Sequence, residues 1–279
     1  SMREFYDNQY PTMAVADSMA TVYGRLLKKK NKQLYYMNEL TRIQLASIGG
    51  DNKKALRLVY SLKNNSTIKR SNKLSGYYFN VYGDGAYDLK KARSYFNLSL
   101  ARDPHVPDAW HQLARIDFLN RDFSGALEKI NTQIKLHGDS FMASYYIRGL
   151  INGFMGNAAD AERDFLRFLS WDTRNWAAHN DLAWVYFSQG RYTQTEEIAR
   201  AGLVFSPANP WLLTSLGVAL LNQGKKTEAH TVFIDALKQA EKLTVADWHR
   251  AYPGNDPVLG DTGLKKMQEV IKRNLALTS

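Results

Sequence analysis

From residue 73 onward the chain alternates short apolar blocks with tight polar turns. Within each block, apolar side chains recur at three- and four-residue spacing. That spacing lays one apolar stripe along each of a run of amphipathic α-helices. Residues 73–106, 107–141, 142–175, 176–209 and 210–243 each offer a helix, a turn and a second helix. Upstream, Ala16, Met19, Ala20, Tyr23, Leu26 and Leu27 predict a helix over Met13–Lys30. A second helix runs from about Gln33 to Ile48 and stops at Gly49-Gly50. Asp51 or Asn52 then caps a third, which holds Ala55, Leu56, Val59 and Leu62. Residues 36–69 read as a degenerate first unit, and Asn64-Asn65-Ser66-Thr67 within it as a polar loop. Downstream, residues 244–252 predict a short helical turn, and Pro253-Gly254-Asn255-Asp256-Pro257 is a dense turn signal. Leu264, Met267, Ile271 and Leu275 mark an amphipathic helix over 258–277, read as the cap that an open stack of helices needs at its end.

The blocks repeat with a fixed period. Alanine stands at Ala92, Ala126, Ala161 and Ala229, with Thr195 in the one missing place. Gly156, Gly190 and Gly224 keep the same 34-residue step in the preceding turn. A period of this length marks a helical repeat array in which each unit is too small to bury its own apolar face. Small residues recur at Ala114, Gly149, Ala183 and Gly217, and aromatics at Phe96, Phe165 and Phe233, so a bulky ring can fill the space that a small partner leaves. With Trp110, Tyr186, Pro104 and Pro207, these positions resemble the tetratricopeptide repeat (TPR) family from about Tyr36 to Leu243. Gly138 and Thr173 depart from its closing proline, and Gln133 and Phe168 from a position it keeps small. The resemblance implies an all-α fold: a right-handed α-solenoid of stacked antiparallel helix pairs with N-terminal helices and a C-terminal capping helix. The expected divisions are an N-terminal segment with a basic amphipathic helix (1–35), an array of about six units (36–243) and a capping segment (244–279).

The chain of 279 residues has a net charge of +10, unevenly placed. Residues 1–73 hold 14 Lys/Arg against 5 Asp/Glu, whereas the remainder holds 23 against 22. The basic surface expected at Lys28, Lys29, Lys30 and Lys32 therefore belongs to the N-terminal quarter. A block of this kind meets an acidic protein, an anionic membrane surface or nucleic acid. Nucleic acid is disfavoured, because the run lacks interleaved aromatics for base stacking. No apolar run reaches the ~20 residues of a membrane span, and no signal peptide is seen. Ser1-Met2 reads as the scar of a cleaved tag, so localisation stays open between cytoplasmic and tethered through a trimmed anchor. The absence of cysteine excludes disulfides, thiolate nucleophiles and zinc-thiolate sites.

Nothing in the chain has the spacing of a catalytic or metal site. The six histidines are scattered, with none paired at the four-residue spacing of a helical metal site, and neither a phosphate loop nor a nucleophile elbow occurs. The expectation is a non-catalytic scaffold or adaptor without cofactor or metal. The family resemblance implies a concave groove lined by the first helix of each unit and able to hold a peptide or helix of another protein. By register, that places His111, Arg115, Tyr146, Leu150, Asn180, Trp184 and Trp211 on the groove, with Gln112, Phe118, Phe154, Asp181, Phe187, Thr214 and Val218 beside them. The Lys/Asn pattern by which some relatives grip a C-terminal carboxylate is missing in either register. A membrane-associated assembly factor docking through the basic helices is the alternative reading, and a homo-oligomer a third.

Overall fold

A computed structural model describes residues 24–25, 27–28, 30–48, 52–72, 74–76, 78–79, 89–251 and 259–278. Among these residues every regular element is helical. In chain order they are α1 (Lys32–Ile48), α2 (Asn52–Ser61), α3 (Ser66–Arg70), α4 (Leu89–Arg102), α5 (Ala109–Leu119), α6 (Phe123–His137), a 3-10 turn (Gly138–Phe141), α7 (Ala143–Phe154), α8 (Ala158–Trp171), α9 (Trp176–Ser188), α10 (Tyr192–Phe205), α11 (Pro210–Asn222), α12 (Lys226–Ala240), α13 (Val245–Ala251) and α14 (Leu259–Ala276). From α7 to α12 consecutive helices pack on one another in the stacked order of a solenoid. Two compact units divide the chain: residues 1–116 with 135–141, and residues 117–134 with 142–279.

In the first unit, Leu40, Ile43, Ala55, Val59, Ile68, Leu74 and Tyr78 form one core, and Ala92, Phe96, Leu113 and Ile116 another. The polar loop expected at Asn64–Thr67 is in part a helix start. Asn65 accepts from the backbone N–H of Thr67 and Ile68 at 3.0 and 3.2 Å, capping α3. The predicted helix over Met13–Lys30 lies mostly outside the described residues, and so does the turn at 253–257.

In the second unit, the pairs α7/α8, α9/α10 and α11/α12 follow the 34-residue beat. The expected match of small and aromatic positions is literal. A Cβ on Gly149 would lie 3.0 Å from the Phe165 ring, and one on Gly217 only 2.5 Å from the Phe233 ring. Both rings are fully buried. The turns end with Gly156, Gly190 and Gly224 at φ +81°, +70° and +76°. The next residue's N–H returns to the carbonyl five positions back: Asn157 to Asn152, Arg191 to Tyr186, Lys225 to Leu220, at 2.9–3.0 Å. Such a closure needs a left-handed residue, which glycine adopts without strain. Asn175 and Asn209 then cap α9 and α11 through their side-chain oxygens, and Pro210 opens α11, where no N–H is required.

α14 packs Ile271, Met267 and Leu275 into the core built on Phe233 and Ala236. Gln268 Nε2 also donates to the Ala240 carbonyl at 3.1 Å, satisfying an end of α12 that has no helical partner. Gln133, the polar residue at the family's small position, is fully buried with both amide atoms unpartnered, whereas Phe168 at the equivalent place one unit later simply packs.

Candidate functional site

The second unit presents α7, α9 and α11, the first helices of its three pairs, side by side. Two hydrogen bonds, each about one repeat long in sequence, lace them together. Tyr146 on α7 donates its hydroxyl to Asp181 Oδ2 on α9 at 2.7 Å, and Ser215 on α11 donates to Asn180 Oδ1 at 3.0 Å. Further along the wall the contacts are aromatic. The Phe154 ring stands 5.2 Å from Phe118, 5.8 Å from Phe123 and 5.5 Å from Trp184. A Cβ on Gly153 would lie 3.1 Å from the Trp184 indole, so bare backbone lets that ring rest on α7. These side chains remain open to solvent: Phe154 is 57% exposed, Trp184 44% and Met155 41%. At the opposite ends of the helices, Trp211 stacks on Trp176 at 5.2 Å and faces Trp248 at 6.3 Å.

Charge is nearly absent from this wall. α11 (PWLLTSLGVALLN) carries none. On α7 the one charged side chain, Arg148, turns to the second helix of its own pair, where Nε and Nη2 donate to Asp164 at 2.7 Å. His179 on α9 is buried, its Nε2 3.0 Å from the Thr173 carbonyl. Only Asp181 is left. Burial raises its pKa to about 6, against the lowering effect of hydrogen bonds from Tyr146 and Asn180.

The structure distributes the residues expected to line a groove unevenly. Tyr146 and Asn180 are brought together through Asp181, and Trp184 stands exposed one helical turn beyond. Leu150 packs partly into the core below, and Trp211 is half-buried in its aromatic stack. His111 and Arg115 belong to the first unit, and His111 does not lie open to solvent. It is 5% exposed, with the Phe141 ring edge-on at 5.2 Å. Burial, with help from the nearby Arg115 charge, pushes its pKa down to about 3. The 3-10 turn Gly138–Phe141, at the end of the 35-residue unit 107–141, delivers that ring. Arg115 Nη1 donates to Gln112 Oε1 at 2.9 Å. Lys28, Lys30 and Lys32 are exposed; Lys29 falls outside the described residues.

Residues 148–210 match the family model described as tetratricopeptide repeat. Over that stretch the chain carries tetratricopeptide repeats. Anaphase-promoting complex subunit 3 of Schizosaccharomyces pombe is 26% identical over 153 residues, covering 55% of this chain; the match spans 23% of that relative, about a quarter of its length. Among solved structures, the anaphase-promoting-complex hetero-tetramer Cut9-Hcn1 superposes with a TM-score of 0.63 at 14% identity, covering 94% of this chain and 51% of that one. YrrB, described as a tetratricopeptide-repeat protein with an unusual peptide-binding site, gives 0.53 at 12% identity over 74% of this chain and 96% of its own. At such identities the structural likeness speaks for the fold.

The tetratricopeptide repeats of the second unit are also joined by a device that the sequence reading missed. Glu162 on α8 takes both guanidinium arms of Arg191, at 2.6 and 3.1 Å, and the Tyr186 hydroxyl at 3.0 Å. One period later Glu196 takes Lys225 at 2.7 Å and Gln223 at 2.8 Å, while Arg200 bridges Glu196 and Glu228. In both cases the cation directly follows the turn glycine of the next repeat. The 34-residue step from Glu162 to Glu196 and from Arg191 to Lys225 was the available signal.

Proposed function

We propose that this tetratricopeptide-repeat protein is a non-catalytic scaffold that holds a peptide or helical segment of another protein against the wall of α7, α9 and α11. The observation that carries the reading is the solvent-open row of Phe154, Met155 and Trp184 on helices almost free of charge. Grouped apolar exposure of this kind marks a binding surface far more often than scattered single residues do. Large flat side chains also suit the centre of an interface, where they desolvate well and lose little entropy. Tetratricopeptide-repeat proteins act as interaction scaffolds, and YrrB is described by its peptide-binding site. A segment of this kind would bind with affinity near micromolar, about 8 kcal/mol.

The test pairs substitution with capture. Proteins retained from an extract by the wild-type chain are identified by mass spectrometry, and the strongest is titrated against Trp184→Ala and Phe154→Ala. Both variants keep the helical circular-dichroism signal and lose about tenfold or more in affinity, as buried aromatic anchors do. Unchanged affinity in both rejects the wall.

A second reading rests on the exposed Lys28, Lys30 and Lys32 in the basic first quarter of the chain. Each contributes about 1 kcal/mol near an anionic membrane surface. Flotation with neutral and acidic liposomes separates the two readings: equal recovery dismisses the membrane.

A further inference from the structure

We infer that the segment held on this wall is apolar and carries one basic side chain, Lys or Arg, seated on Asp181 beside the Trp184 indole. The inference rests on the wall reading above and adds to it the chemistry of the occupant.

The three wall helices are nearly without charge. Of the ionisable side chains on α7, α9 and α11, Arg148 is consumed by Asp164 and His179 is buried against a carbonyl. Asp181 is the remaining one, and it has no cation within ion-pair distance among the described residues. Its neighbours are neutral. Tyr146 donates from α7, and the adjacent Asn180, which accepts from Ser215 of α11, also favours the charged carboxylate. No charged side chain is among the groups that shift its titration. Six other carboxylates of this unit, Asp117, Asp160, Asp164, Glu162, Glu196 and Glu228, each hold a cation of this chain.

A carboxylate in a wall of aromatic and aliphatic side chains is costly unless something compensates it. Tyr146 and Asn180 compensate in part and fix its orientation, which leaves acceptor capacity on the carboxyl group. Trp184, three residues on, lies on the same helical face. Its exposed indole offers a π surface on which an ammonium or guanidinium group is held as it leaves water. An anionic residue in the occupant would meet a like charge with no cation nearby to accept it. A purely apolar occupant would bury Asp181 without a partner. Both are disfavoured, and the single-cation segment is the complement.

The test is selection of a phage-displayed random dodecapeptide library on the full chain at pH 7.5, in parallel on Asp181→Asn and on Trp184→Ala. The wild type is expected to enrich peptides with one Lys or Arg flanked by apolar residues. Asp181→Asn keeps the apolar preference and loses the basic one, and binds the wild-type-selected peptides about tenfold or more weakly, the loss typical of a buried charge pair. Fluorescence anisotropy of those peptides at pH 7.5 and 5.0 gives a second readout. Because the carboxylate is the binding form, wild-type affinity falls as pH drops through about 6, while Asp181→Asn stays flat. Peptides that lack a basic residue but depend on Trp184 overturn the inference and leave the wall standing. Enrichment of acidic peptides also overturns it. Peptides indifferent to Trp184→Ala, or none at all, overturn the wall reading itself.

Discussion

Along the second helices of the repeats, Asp164, Glu162 and Glu196 each hold a cation that lies one helix or one repeat away. Along the first helices, Asp181 holds a tyrosine hydroxyl. Both sets of carboxylates belong to the same stack, so local propensity does not distinguish them. What differs is the work each surface does. The turn edge must join repeats that contact only their neighbours, and a charge pair there fixes the register of one layer on the next. The wall is joined by neutral hydrogen bonds and ring contacts, so its exposed apolar surface and its one carboxyl group remain for something else. Stability and recognition are therefore written on different faces, and substitutions can separate them.

The largest effect is expected at Arg148. Its partner Asp164 has a side chain 1% exposed, and Arg148 itself is 19% exposed. Arg148→Met leaves that carboxylate buried without its cation and costs about 3–5 kcal/mol of unfolding free energy. Arg148→Met with Asp164→Leu recovers most of the loss, since an apolar pair of similar volume replaces the ionic one. Urea denaturation of the three proteins measures this. If the single variant loses under 1 kcal/mol, this buried ion pair is not what holds the two helices of its repeat together.

Glu196 comes next, and its contribution depends on pH. Burial alone would raise its pKa, but hydrogen bonds from Lys225, Gln223 and Arg200 prevail and hold it at about 2, against an ordinary value near 4.5. A carboxylate depressed in the folded state stabilises fully above its unfolded value, and that stability is lost as pH falls from about 4.5 through about 2. Lys225 and Arg200 are each nearly half exposed, so water screens the gain to about 1–2 kcal/mol. Glu196→Gln should lower stability by that amount at pH 7 and flatten the acid limb between pH 4.5 and 2. A matching loss in Asp181→Asn would erase the contrast between the two faces, because Asp181, with a raised pKa, should not stabilise the fold at pH 7.

Much of this arrangement was legible from residues alone, and the exceptions have physical causes. The 34-residue beat of Ala161, Thr195 and Ala229 is a statement about layers, and the layers followed. Gly149 and Gly217 declared the Phe165 and Phe233 rings because close packing leaves no other use for a missing Cβ. The burial of His111 was hidden because register gives the direction of a side chain and says nothing of what folds over it; the unit 107–141, which brings Phe141 across it, is one residue longer than the 34-residue step. The bond between Tyr146 and Asp181 was hidden for a different reason. Both positions were assigned to the wall, but a hydrogen bond between residues 35 apart depends on the distance between neighbouring layers, which a period does not supply.

The smallest effect lies in the turn before α6. The residue one 35-residue step before Gly156 is Arg121, and it adopts φ +62°. Asp122 returns its N–H to the Asp117 carbonyl at 3.0 Å, as the residues after the turn glycines do elsewhere. The closure is thus preserved without glycine, at the strain of a left-handed arginine, about 1–2 kcal/mol. Arg121→Gly removes that strain but gives the unfolded chain more freedom, which takes back about 0.4–1 kcal/mol. The net gain is about 0.5–1 kcal/mol, a rise of about 1–4 °C in melting temperature for a chain of this size. Arg121 is exposed and lies on the turn edge, so the substitution should leave peptide affinity for the wall unchanged. A lower melting temperature would mean that the arginine side chain contributes a contact outweighing its backbone strain, and a changed affinity would mean that turn edge and wall are coupled after all.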